Sequence, residues 1–290
     1  MSCHCINPRL PPDLERYIFE ETAGQRPRDV PNLLLVARRV QYWLEPILYR
    51  DFRLGDSQKL DSLLCLASSK SHTFLPRSIR SLVFWGEYPL RHEHYDTLKR
   101  CTGITHLVIS STQSVPDVLP SLANMRLRRL AVYPQGLMPT LGAIDGANPV
   151  FKQLTHFEIF NGPRSGTDDY ALIAFITALP SLTHLALNGP PKAGAPAIRR
   201  LLAECKNLRC LVILSNEKWM QSKLTTGDYH DINDLRFVVT GFRRWDEVIC
   251  NGYWAIAEDT VEQRRRGVMV NLTGSDAYPL DDRVASPVVG

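Results

Sequence analysis

The chain has 290 residues, 44% of them hydrophobic and 22% charged, with a net charge of +4. That balance is ordinary for a globular protein, and a charge this mild argues against a nucleic-acid partner or a membrane surface, while no apolar run approaches the ~18 residues that span a bilayer. The first ten residues lack the apolar core of a secretory signal, and the seven cysteines are an odd number without framework spacing, so reduced thiols in the cytoplasm and/or nucleus are expected.

Residues 1–9 are expected to form a flexible leader; its Cys3-His4-Cys5 is too compact for a structural zinc site. A helical unit follows over 10–48. Leu10-Pro11-Pro12-Asp13-Leu14 opens a helix, with proline and acid in the first turn where both are tolerated. Leu14, Tyr17 and Ile18 define its apolar face, with Phe19 beside it. Gly24 to Pro31, holding Pro27 and Pro31, reads as a break. Asn32 to Leu44 reads as a second helix with Leu33, Leu34, Val36, Val40, Trp43 and Leu44 apolar, and Pro46 should kink or end it. A unit of about 40 residues is too small to be comfortable alone, so it needs the next segment, or a partner, against it.

From 49 to 240 one pattern repeats: apolar, two variable, apolar, one variable, apolar. Its clear copies begin at Ile79, Ile104, Leu127, Leu154, Leu182 and Leu208, stepping by 25, 23, 27, 28 and 26 residues. Weaker copies begin at Tyr49 and Ile232. A fixed period in this range signals a solenoid, whose repeats bury their cores against their neighbours. Each hexad suits a short strand, so Leu82 and Phe84 should face one side and Ser81, Val83 and Trp85 the other. Helices are expected between hexads at Gln58–Ala67, His92–Cys101, Thr167–Leu179 and Ala193–Cys205, the last burying Ile198, Leu201, Leu202 and Cys205.

The outward strand positions form three columns. The first reads Ser81, His106, Arg129, His156, His184, Cys210; the second Val83, Val108, Ala131, Glu158, Ala186, Val212; the third Trp85, Ser110, Tyr133, Phe160, Asn188, Leu214. Strands ~4.8 Å apart would set His156 beside His184, and two imidazoles near a thiol are zinc-ligand chemistry. Thr-His recurs because the repeat recurs, however, so no metal is expected. Exposed aromatics would act as interface anchors; folded under the loops, they would cover the sheet ends instead. On the first alternative Trp85, Tyr133, His156, Glu158 and Phe160 contact a protein substrate. Residues 241–270 are expected to hold a capping helix, Trp245 to Arg266, able also to fold back over the sheet, and 271–290 a disordered tail. No phosphate loop, nucleophile elbow or dinucleotide fingerprint is present in the sequence, so no catalytic residue or cofactor is expected.

A strand and a helix in about 25 residues resembles the leucine-rich repeat, which implies an α/β fold: an irregular solenoid with a parallel sheet on its concave face and helices outside. The segment before it resembles the F-box, in the form found in fungal multigene families. Leu10-Pro11-Pro12-Asp13-Leu14, Ile18-Phe19, Asn32 to Arg39 and Trp43-Leu44-Glu45-Pro46-Ile47-Leu48-Tyr49 carry that likeness. The resemblance implies a small helical module that docks the Skp-type adaptor of a cullin–RING ubiquitin ligase through Leu10, Pro11, Leu14, Ile18, Leu33, Val36 and Trp43. It implies a non-catalytic substrate-recognition role in which the repeats hold a protein substrate. The alternative is a leucine-rich-repeat interaction scaffold without ubiquitin-ligase association.

Overall fold

The computed structural model describes residues 10–85, 90–110, 119–133, 146, 148–160, 166–215, 229, 231–241 and 252–268. The segments read as leader and tail lie outside the described residues.

The last four residues of each clear hexad form a strand, because alternation places two apolar side chains on one face within one short extended run. The strands are β1 (Asp51–Leu54), β2 (Ser81–Phe84), β3 (His106–Ile109), β4 (Arg129–Val132), β5 (His156–Ile159), β6 (His184–Asn188), β7 (Cys210–Leu214) and β8 (Phe237–Thr240). They form one eight-stranded parallel sheet in chain order, an α/β arrangement compatible with a solenoid. The register is that of the hexads: Ser81, His106, Arg129, His156, His184 and Cys210 are successive Cα partners, as are Leu82, Leu107, Leu130, Phe157, Leu185 and Leu211.

The eighth copy differs from its expected register. Phe237 pairs with Leu211, so it holds the fourth hexad position rather than the sixth. Leu235, expected in the core, is 49% exposed, while Phe237 and Val239 are buried. A slip of two residues keeps the alternation, so both readings put apolar residues on the same face, and only pairing separates them.

Helices pack on the face to which the fourth and sixth positions point. They are α4 (Ser57–Ser69), α5 (Phe74–Ser78), α6 (His92–Arg100), α7 (Leu119–Leu122), α8 (Gly166–Thr177) and α9 (Gly194–Glu204). The Asp56 side chain caps α4 by accepting from the Lys59 amide at 2.8 Å. One continuous core runs from Leu54 to Val239 and includes Ile198, Leu201, Leu202 and Cys205 of α9.

The helical unit comprises α1 (Pro12–Gln25), a 3-10 turn (Pro27–Asp29), α2 (Val30–Leu33) and α3 (Arg38–Leu48). The second helix expected over 32–44 is therefore two pieces. The chain turns after Leu33, Ala37 is fully extended (φ −162°, ψ 154°), and α3 then runs past Pro46 instead of ending there. The restart lets Leu33 and Leu34 pack on Val40 and Leu44 together with Ala23 and Val30. Arg39 grips Glu15 with two hydrogen bonds of 2.7 and 2.9 Å, joining α3 to α1. Lys70 Nζ donates to Glu45 at 2.6 Å, and Arg77 donates to Tyr42 Oη at 2.6 Å with its guanidinium over the Tyr42 ring. These contacts seat the small unit on the first repeat. Among the described residues no helix is long and apolar enough to cross a membrane.

Leu185 is fully buried in the middle of this core. Leu185→Ala is expected to cost about 3 kcal/mol, from lost burial plus the cavity left behind. Urea denaturation followed by circular dichroism measures it; a change under about 1 kcal/mol would mean that the strand core is loosely packed.

Candidate functional site

The sheet face opposite the outer helices is partly covered by α10 (Gly252–Arg265). Residues 245–251 of the longer helix read from sequence lie outside the described residues. Tyr253, Trp254, Ala257 and Val261 recur at helical spacing and are buried against Ala186, Val212, Leu214 and Val238 of the sheet. Arg264 donates to the Phe237 carbonyl at 2.6 Å, which fastens the end of the helix to β8.

Beneath α10 lies a row of polar groups. His156 and His184, partners in register, stack with ring centroids 4.2 Å apart and planes within 5°. The Trp254 indole stands edge-on to both rings, at 5.3 and 5.5 Å. His184 Nε2 lies 3.0 Å from Glu258 Oε1. Burial lowers the proton affinity of His156 to a pKa of about 3, with the charges of His184 and Arg129 adding to it. For His184 burial again acts first and downward, against the upward pull of Glu258. Both imidazoles are therefore neutral near pH 7.

Glu158 is a buried carboxyl in the second column. Its Oε2 accepts from Tyr253 Oη at 2.7 Å, and its Oε1 has no hydrogen-bond partner among the described residues. Burial pushes it up to about 8, with the Tyr253 hydrogen bond opposing. Such a group carries its proton at neutral pH. Next to this row, between α10 and β6–β7, a cleft of about 330 Å³ opens to solvent, lined by His184, Arg209, Cys210, Glu258, Glu262 and Arg265 among others. The Cys210 thiol is pushed up to about 12 by burial, so it is no thiolate.

The structure separates the residues read as substrate contacts. Trp85, 42% exposed, lies at the β1–β2 end over Gly55, whose missing side chain leaves room for the indole. Tyr133 is partly buried against Phe160. His156 is partly open; Glu158 (3% exposed) and Phe160 (1%) are sealed under the chain's own cover. The second column is buried throughout, from Val83 to Val238. Glu258 and Tyr253 belong to this site and were not singled out from sequence, and Trp254 reads from sequence only as an apolar residue of the capping helix. The only signal for them was an aromatic pair in an expected capping helix.

The residues read as adaptor contacts also divide. Leu10, Pro11, Leu14, Ile18 and Val36 are exposed, whereas Leu33 and Trp43 are partly buried against the unit's own core. Leu14, Tyr17 and Ile18 share one face of α1, and that face points away from the core. Ala23 and Phe19 make the inner contacts instead. Leu35 and Val36 stand out in the turn between α2 and α3, 85% and 60% exposed.

The chain matches no protein-family model and no curated protein.

The Glu158 carboxyl makes stability depend on pH. Below its ordinary value of 4.5 it is protonated in both the folded and the unfolded chain; between 4.5 and about 8 only the folded chain keeps the proton, so stability falls as pH rises through that window. Glu158→Gln keeps the shape and cannot ionise. Its stability relative to the parent is expected to grow from pH 5 to pH 8, by at most ~1.4 kcal/mol per unit. Denaturant titrations of both proteins at several pH values read this difference; a flat line across the window would mean that Glu158 is ionised in the folded protein.

Proposed function

We propose that this protein is a non-catalytic substrate-recognition adaptor of a cullin–RING ubiquitin ligase, working in the cytoplasm and/or nucleus. The fold is then a leucine-rich-repeat solenoid behind an F-box-like module. The module binds a Skp-type adaptor, and the repeats bind a protein substrate by surface complementarity.

One observation carries the reading. The helical unit spends its large apolar residues outward. Leu10, Leu14, Tyr17, Ile18, Leu35 and Val36 are each at least 45% exposed, while Ala23, Val30, Val40 and Leu44, with partly buried neighbours such as Phe19 and Trp43, close the unit's interior. A soluble chain rarely keeps so many large apolar side chains in water unless a partner covers them. They coincide with five of the seven positions implied by the F-box resemblance, counting the exposed Pro11. Leu33 and Trp43 then hold the unit together rather than touch the partner. The substrate contact falls to the exposed Trp85 at the β1–β2 end, since α10 covers β5–β8.

Co-purification with a Skp-type adaptor tests the reading. The triple variant Leu14→Ala, Ile18→Ala, Val36→Ala removes only exposed side chains, so its thermal midpoint should stay within about 2 °C of the parent. Adaptor affinity is expected to fall at least ~100-fold, since apolar anchors at an interface centre dominate binding. Equal retention of adaptor by parent and variant, or none by either, would overturn the assignment.

A further inference from the structure

We propose that His156, His184 and Glu258 form a site for a zinc-class divalent cation, and that the bound ion fastens α10 to the sheet. The donor atoms of the three side chains lie within 4.8 Å of one another. Two come from neighbouring strands at one register position and the third from the covering helix.

The hydrogen bonds around the rings prepare them as ligands. His156 Nδ1 lies 2.9 Å from Thr155 Oγ1, and His184 Nδ1 lies 2.8 Å from Thr183 Oγ1. Each threonine hydroxyl in turn donates its only proton to a carbonyl of the preceding repeat, Arg128 at 3.0 Å and Thr155 at 3.1 Å. With its own proton on that carbonyl the threonine oxygen can accept from the ring, which supports the tautomer protonated on Nδ1 with the Nε2 lone pair available to a metal. An oriented hydrogen bond on the far nitrogen is the support that metal-binding histidines have. With the rings parallel and both Nδ1 atoms turned to the preceding threonine, the two Nε2 atoms point the same way.

The 3.0 Å contact between His184 Nε2 and Glu258 Oε1 is a hydrogen bond when the ring proton sits on Nε2. A cation that leaves the proton on Nδ1 takes the place of that bridge between the same two atoms. The Trp254 indole walls one side of the rings. The adjoining cleft supplies an entry path and room for a water as fourth ligand. Two imidazoles, one carboxylate and an open position suit zinc; magnesium and calcium take all-oxygen sets. Tetrahedral zinc wants donors ~3.4 Å apart, a gap closed by tilting the rings and swinging the exposed Glu258. Arg209, Glu262 and Arg265 line the same cleft.

Equilibrium dialysis of the full chain, first stripped with chelator and then held at buffered micromolar zinc, tests the proposal. The parent is expected to bind about one zinc per chain, with magnesium failing to compete at a 100-fold excess. Glu258→Gln alters an exposed side chain and should fold normally; it is expected to weaken zinc at least ~10-fold and to abolish the rise in thermal midpoint that zinc produces in the parent. His184→Ala should weaken it further, and His92→Ala, on the exposed start of α6, should change nothing. Zinc below about 0.1 per chain in the parent, or affinity unchanged in Glu258→Gln, would overturn the proposal.

Discussion

Every other feature of this molecule hangs on the way one repeat hydrogen-bonds to the next. The carbonyl at the second hexad position accepts two amides from the following copy. Arg50 O receives Arg80 N and Ser81 N at 2.9 and 3.0 Å; Arg80 O receives Thr105 and His106; Thr105 O receives Arg128 and Arg129; Arg128 O receives Thr155 and His156. This forked contact pins each strand start to the one before it. A one-residue slip would turn every leucine outward. Register is thereby held along the whole sheet, and columns of like positions follow from it. The face-to-face imidazoles of His156 and His184 are a direct consequence, because register leaves two identical Thr-His pairs no other place to go.

The same column logic makes the second face apolar as well as the first. Val83, Val108, Ala131, Ala186, Val212 and Val238 form a strip that water does not favour, and α10 lies over its later half. Glu158 interrupts the strip. A carboxyl there is tolerated because it keeps its proton and because Tyr253 reaches it from the cover. Its Oε1, without a hydrogen-bond partner among the described residues, lies in the layer between sheet and cover. Helix and sheet thus meet through a mixed layer: indole and aliphatic contacts supply area, and Tyr253–Glu158 and His184–Glu258 set the alignment.

The helical unit inverts the usual reading of an amphipathic helix. In α1 the most apolar face, Leu14, Tyr17 and Ile18, looks outward, and the small Ala23 with Phe19 closes the interior. Periodicity identifies an apolar face but cannot say whether this chain or another one covers it. Here the first repeat already holds the unit through Lys70–Glu45 and Arg77–Tyr42, so the exposed face is not needed for attachment.

The amino-acid sequence by itself determined the sheet. Periodic leucines specify strand positions, strand order and facing, because each repeat can satisfy its core only against a neighbour of the same pattern. The inward and outward columns were legible residue by residue from β2 to β7. The eighth strand was legible only in its facing, because Leu235–Phe237 and Phe237–Val239 offer two apolar frames two residues apart and pairing alone selects one. Tertiary structure decided three things. It split 32–44 at the extended Ala37, where packing of Leu33 and Leu34 on Val40 outweighs local helix preference. It turned Leu14, Tyr17 and Ile18 to solvent. It laid α10 across the sheet, joining Tyr253 to Glu158 ninety-five residues away and Glu258 to the histidine pair. No local spacing encodes a contact at that distance; it arises from an apolar strip that needs covering and a helix long enough to cover it.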